Sequence, residues 1–295
     1  MSILITGANG FLGHYVTGLL LKKGYDVIAT GTGGCRLPFS DEPGFLYEAM
    51  DFTNPATVKN VFEKYTPSVV LHAGARSKPD DCELNQPRAY ECNVQGTRNL
   101  LDAATGSAAF FLFVSTDFIF DGEKGMYAED DPPNPVNYYG TTKLLAEQEV
   151  KGYRYDWAIA RTVLVYGKPL TGRNNILTLV KEKLEKGEEY RVVNDQVRTP
   201  TYVEDLAAGI AAIIEKRATG IFHLSGTDIL TPYEMACRAA QFLGLDPSLL
   251  KKVTAADFKE PARRPLRTGF VIDKARRMLG YDPVSFEAGL QMTFS

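Results

Sequence analysis

The chain has 295 residues, 44% of them hydrophobic and 23% charged, with a formal net charge of -3 and an isoelectric point near 5.8. That length can bury a sizeable core without a partner, and the composition excludes disordered and fibrous classes. The slight acidity excludes a broad cationic field for nucleic acid or an anionic membrane, so an anionic ligand must be held by local groups.

Met1 to Thr6 is a short apolar run that enters a glycine turn without a basic leader, a long apolar segment or a cleavage site, which predicts no signal peptide. No uninterrupted apolar stretch approaches the roughly 20 residues that span a bilayer. Cys35, Cys82, Cys92 and Cys237 are scattered with no CxxC pair, the pattern of reduced, mostly buried thiols rather than disulfides or a metal site. A cytoplasmic protein with no membrane segment is expected.

Apolar runs at 3–5, 27–29, 69–71, 110–114 and 157–160 read as buried parallel strands. Helical patterns lie between them at 11–23, 55–65, 88–104 and 138–151, the second opening on an Asn-Pro signal for a cap and first turn. This alternation predicts an α/β fold with a Rossmann-type doubly wound parallel sheet over residues 1–165. Beyond it come a loop over 166–173, a helix over 176–186, a strand at 191–193 and a helix over 203–215. A strand at 221–224 and helices at 232–243, 273–279 and 286–291 follow. Residues 166–295 are assigned to a smaller substrate-binding lobe, with 194–217 packing back onto the first domain. No linker separates the two.

Thr6-Gly7-Ala8-Asn9-Gly10-Phe11-Leu12-Gly13 follows the first strand and opens the first helix. Gly7 suits the sharp turn, Gly10 lets a pyrophosphate approach the positive helix end, and Gly13 permits close helix-to-strand packing. A dinucleotide is the implied cofactor. Proteins that prefer NAD commonly carry an acid about 20 residues further on, and Thr30-Gly31-Thr32-Gly33-Gly34-Cys35-Arg36 has none. Arg36 with Thr32 can meet a 2'-phosphate, which points to NADPH, with NADH as the alternative; the competing reading of Arg36 is a solvated loop residue. Asp51 is placed either to contact the adenine edge or to start the next helix.

Tyr139 and Lys143 stand at i and i+4, roughly 5–6 Å apart on one helical face. A fixed cation beside a phenol favours the phenolate and eases proton transfer, the chemistry of carbonyl reduction. Tyr138 is rotated by about 100° around the helix, so the spacing selects Tyr139. Ser115-Thr116-Asp117 ends the strand at 110–114, at the carboxyl edge where such folds bind ligands, and a hydroxyl there can polarise a carbonyl oxygen.

Together these residues resemble the extended short-chain dehydrogenase/reductase family, and within it the dTDP-4-dehydrorhamnose reductase group. The most specific piece is Ser115-Thr116-Asp117-Phe118-Ile119-Phe120-Asp121-Gly122, followed by Tyr127, Glu129, Asp130 and Pro135, then Asn137-Tyr138-Tyr139-Gly140 with Lys143 and Glu147. The resemblance implies Thr116, Tyr139 and Lys143 as catalytic residues and a reduced nicotinamide as hydride source. The implied cofactor contacts are Gly7, Asn9, Gly10, Phe11, Leu12, Gly13, Arg36, Asp51, Phe52, Ala73, Gly74, Ala75, Lys143 and Thr162. Asp117, Arg198 and Arg264 fall to the substrate, a nucleotide-linked 4-keto-6-deoxysugar. Arg198 resembles the arginine that grips a diphosphate in nucleotide-sugar enzymes, a surface salt bridge being the alternative.

Related dehydratases carry an acidic pair after the catalytic Thr; Asp117 is followed here by Phe118, which disfavours elimination and leaves an epimerase open. The segment from His72 to Asp80 also resembles the regulatory subunit of methionine adenosyltransferase, so an NADP-binding regulatory role is the second reading. His72, in an apolar setting, reads as structural rather than catalytic. The helices at 88–104 and 138–151 form dimer faces in many relatives, and a homodimer is expected.

Overall fold

In the computed structural model, residues 1–170 and 174–295 are described; the last three residues of the expected loop over 166–173 lie outside them. The first half runs β1 (Ser2–Thr6), α1 (Phe11–Lys22), β2 (Asp26–Gly31), β3 (Phe45–Ala49), α2 (Pro55–Tyr65), β4 (Val69–His72), α3 (Pro79–Leu84), α4 (Gln86–Tyr90), α5 (Gly96–Thr105), β5 (Phe110–Thr116) and α6 (Tyr138–Lys151). Then come β6 (Trp157–Thr162), β7 (Val165–Tyr166), α7 (Ile176–Glu185), β8 (Tyr190–Val193), β9 (Thr201–Tyr202), α8 (Val203–Lys216) and β10 (Gly220–Leu224). The chain ends with α9 (Pro232–Phe242), β11 (Leu250–Val253), α10 (Asp273–Leu279) and α11 (Phe286–Phe294). No helix among the described residues is long and apolar enough to cross a membrane.

The apolar runs become strands buried on both faces because helices cover each side of the sheet. Seven strands pair in the order β10-β6-β5-β4-β1-β2-β3, all parallel. The order reverses between β1 and β4, which opens a crevice at their carboxyl ends. Register places Thr6 beside both Thr30 and His72, and Thr116 beside Thr162. One face buries Ile3, Ile5, Val27, Leu71 and Leu112, and the other buries Leu4, Val70, Phe111, Phe113 and Ile159, the alternation that a pleated strand imposes.

Residues beyond 200 return to this sheet further than the expected 194–217. Leu206, Ile210 and Ile213 of α8 join the core beside α1 and over β6, β10 forms the edge beyond β6, and Ala275 and Leu279 of α10 pack on the same face. The second lobe is built on α7, α9, α11 and the parallel β8–β11 pair, around Leu177, Val180, Val192, Met235, Leu250 and Phe286.

The helix expected over 88–104 is interrupted. Between α4 and α5 the backbone takes a π-helical course over Glu91–Gln95, and such extra-residue turns re-aim side chains. Asn93 in that turn accepts from Arg76 N at 2.8 Å and donates to Arg76 O at 3.1 Å and to Thr142 Oγ1 at 2.9 Å. It thereby ties the loop after β4 to α6.

Candidate active site

The glycine turn is shaped by contact with the loop after β4. Gly7 has φ +70°, and a Cβ built there would lie 2.8 Å from Gly74 Cα. A Cβ at Gly13 would lie 2.4 Å from Gly7 O, so α1 rests directly on the turn. The N-cap of α1, Gly10, supplies no side-chain cap, leaving the helix start suited to a phosphate. These observations fit a dinucleotide diphosphate on Gly7, Gly10 and the first turn, Phe11 and Leu12.

Asn9 braces the adenosine end of this cradle. Its Nδ2 donates to Gly34 O at 3.1 Å and Tyr47 Oη at 2.9 Å, and its Oδ1 accepts from Arg36 N at 2.9 Å. Tyr47 Oη in turn donates to Gly33 O at 3.0 Å. Arg36 is therefore pinned by its backbone while its side chain stays exposed, free to meet a 2'-phosphate. Asp51 binds its own turn, accepting from Thr53 N at 2.9 Å and Thr53 Oγ1 at 2.7 Å, while Asn54 caps α2. Phe52 wedges between Gly74 and Gly96, 2.6 Å and 2.5 Å from the Cβ each would carry. Ala73 and Ala75 flank Gly74, whose amide donates to Thr6 Oγ1 at 3.2 Å.

His72 is 1% exposed, with Nδ1 2.6 Å from Thr6 Oγ1 and Nε2 3.1 Å from Thr97 Oγ1. Thr97 donates to Asn93 O at 2.8 Å, so its hydroxyl accepts from Nε2–H and the ring's Nδ1 accepts from Thr6. Burial and the Lys143 charge hold the pKa of His72 well below the ordinary 6.5. A neutral imidazole fully spent on two threonines is a brace.

The catalytic set meets at the end of β5. Asn137 caps α6 by accepting from Gly140 N at 2.9 Å, and Gly140 lets the helix approach β5: a Cβ there would lie 2.1 Å from Phe118 O. Tyr139, 9% exposed, has its phenol pushed above the usual 10 by burial, with the neighbouring Thr116 hydroxyl opposing that rise. Lys143 donates from Nζ to Val114 O at 2.8 Å and lies 3.8 Å from the centre of the Phe113 ring. Burial pulls its pKa down to about 7, against the charges of Glu147 and Cys92. Thr162, beside Thr116 in the sheet, donates to Thr201 Oγ1 at 3.2 Å.

Asp117 and Arg198 are together; Arg264 is occupied elsewhere. Asp117 accepts from Thr116 Oγ1 at 3.1 Å and from Thr268 Oγ1, and Arg198 Nε is 3.7 Å from its Oδ2. Arg198 is 4% exposed rather than on the surface, donating to Val197 O at 2.8 Å, Leu266 O at 3.1 Å, Pro265 O at 2.6 Å and Gln196 Oε1 at 3.2 Å. Arg264 forms a two-point pair with Asp80, at 2.9 Å and 2.7 Å. Asn93, Tyr47 and Thr268 carry no motif of their own; the Asn-x-x-Gly at Asn137 was a cap signal ahead of α6.

A parallel sheet with a glycine cradle at its switch point, and a Tyr-x-x-x-Lys helix facing a Ser-Thr strand end, define a nicotinamide-dependent oxidoreductase of the extended short-chain dehydrogenase/reductase type. The RmlD substrate binding domain model matches residues 1–295, and the chain belongs to that family. It superimposes on a dTDP-4-dehydrorhamnose reductase from Clostridium acetobutylicum with a TM-score of 0.87 and 31% identity, covering 100% of this chain and 98% of that one. A dTDP-4-dehydrorhamnose reductase from Bacillus anthracis in complex with NADP gives a TM-score of 0.87 and 29% identity over 99% and 98% of the two chains. Methionine adenosyltransferase 2 subunit beta from Xenopus tropicalis is 33% identical over 257 residues, 85% of this chain and 75% of the relative.

Proposed function

We propose that the chain reduces the C4 ketone of a nucleotide-linked 4-keto-6-deoxysugar with NADPH, and that dTDP-4-dehydrorhamnose is its substrate. The observation that carries this reading is the meeting of Thr116 at the carboxyl end of β5 with Tyr139 and Lys143 of α6, where Lys143 Nζ reaches Val114 O of the same strand at 2.8 Å. NADPH, when bound, supplies the hydride. Tyr139 donates its phenolic proton to the carbonyl oxygen as negative charge grows there. Thr116 shares that oxygen by hydrogen bonding, and Lys143 stabilises the charge left on the phenol. Phe118, edge-on to Tyr139 with ring centres 5.7 Å apart, excludes water from one side. Gly7, Gly10 and the first turn of α1 would hold the NADPH diphosphate, Gly13 lets α1 rest on that turn, and the exposed Arg36 side chain would meet the 2'-phosphate.

Replacing Tyr139 by Phe tests the assignment. Wild type is expected to consume NADPH with dTDP-4-dehydrorhamnose; Tyr139→Phe is expected to lose at least about a hundredfold in kcat, with its NADPH Kd unchanged. Equal rates in both proteins refute the acid. The likeness to methionine adenosyltransferase 2 subunit beta supports a second reading, a cofactor-binding regulatory subunit, which predicts cofactor binding with no turnover in either protein.

A further inference from the structure

Lys143 reaches β5 at two consecutive residues. Its Nζ donates to Val114 O at 2.8 Å and stands over the face of the Phe113 ring, 3.8 Å from the ring centre. An ammonium carries three N–H donors, so the carbonyl takes one while the ring lies against the same nitrogen. Phe113 is 0% exposed and shares the α6 side of the sheet with Phe111, because alternate residues of a strand share a face. At this distance the negative face of the ring attracts a cation, and the attraction is strongest where water is excluded.

Lys143 has no ion-pair partner among the described residues: Glu147, one turn further along α6, is instead bound by Arg161 at 2.9 Å and 2.7 Å and lies 4.0 Å from Lys151 Nζ. The charge of Glu147 is therefore already matched. The other titratable groups facing Lys143 are Tyr139 on α6, Cys92 in the π turn and His72 on β4. His72 is the sheet partner of Phe113, with ring centres 5.5 Å apart, and its place between Thr6 and Thr97 holds it neutral. A protonated imidazole there would compete for the ring and repel the lysine; a neutral one leaves the ring to the ammonium. A charge in a dry site without a counterion is costly, and burial pulls Lys143 toward the neutral amine. An aromatic face offsets part of that cost without a carboxylate, which would hold the ammonium tightly and draw it from Tyr139.

Resting on the reductase reading of Tyr139 and Lys143, we propose that Phe113 is a positioning residue for the reaction: its ring face, together with Val114 O, seats the Lys143 ammonium and keeps it charged. Phe113 is fully buried and acts only through the lysine. No proton passes through the ring. The proton of Tyr139 goes to the carbonyl oxygen, and the seated ammonium faces the phenolate that remains. A neutral amine in the same place would leave that negative charge unopposed, so the ring contributes to the rate by holding the lysine in its working protonation state.

Mono-, di- and trifluorophenylalanine placed at position 113 test this, since fluorine drains negative charge from the ring face while nearly preserving its shape. The readout, without cofactor or substrate, is the titration of Lys143, followed by the carbon-13 resonance of its ε carbon in lysine-labelled protein and assigned by its loss in Lys143→Met. The midpoint is expected to fall stepwise with each added fluorine, and by about one pH unit in Phe113→Leu, the size of a desolvated contact between a cation and a ring. With NADPH and dTDP-4-dehydrorhamnose, the pH at which kcat declines on the alkaline side should move down by the same steps, with KM constant. A ring that serves only as core predicts one midpoint and one kcat profile for wild type and the whole fluorinated series, and that result overturns the proposal. The fluorinated series decides the matter alone if Phe113→Leu does not fold. Stepwise midpoints with no turnover in any protein remove the assigned reaction and support the seating of Lys143 on the ring.

Discussion

Lys143 shows what burial does to one catalytic side chain. From its spacing to Tyr139 it was expected as a fixed cation, yet its ammonium points at Val114 O and its pKa falls to about 7 because the site is dry. Between about 7 and the ordinary 10.5 the unfolded chain holds a proton on this lysine that the folded chain does not. Stability therefore rises with pH across that window and is lost as pH falls back through it. Lys143→Met, of similar length and without charge, should flatten that rise; thermal melts at the two ends of the window measure it. An equal slope in both proteins would show that Lys143 stays charged in the ligand-free fold.

At the scale of elements, the positions of helices and strands followed from pattern, while their irregularities followed from contact. The 3.6-residue periodicity marked a helix over 88–104 but held no sign of the π turn at Glu91–Gln95, because Asn93 is recruited there by Arg76 and Thr142 from other elements. The start of α5 is set by Phe52: Gly96 gives it room, and a Cβ would come within 2.5 Å of the ring. Gly96→Ala should cost about 1–3 kcal/mol, as overpacking does, and displace Phe52 toward Gly74. Urea unfolding reads the cost, and an unchanged midpoint would mean that the ring moves freely. β3 is missing from the apolar runs read as strands, since it is a partly exposed edge strand with no buried position.

For the whole molecule, the lobes share their boundary rather than meeting at a linker. α8, β10 and α10 belong to the first sheet although they follow the second lobe's α7. Arg264 pairs with Asp80 across 184 residues of sequence. We propose that α5 and α6, which lie side by side and join Arg98 to Glu149 at 2.7 Å across their outer faces, form the face of a homodimer. Light scattering should give twice the 32.6 kDa chain mass at micromolar concentration, and a monomer mass there would end that proposal.

By itself the sequence determined the doubly wound sheet, the glycine turn, and the Ser-Thr, Tyr-x-x-x-Lys order of the site. These signals are local: a strand's apolar run, a helix's repeat, a turn's need for glycine. Tertiary structure alone decided which partners each charged group has. Thr268 reaches Asp117 from 151 residues away, Arg198 is spent on the backbone around Pro265, Arg264 is held by Asp80, and Asn9 braces Arg36 through a loop that Tyr47 closes. Hydrogen bonds between distant segments leave no period or spacing in the chain, because they depend on where the sheet brings its strand ends, and that is fixed only when the whole core has packed.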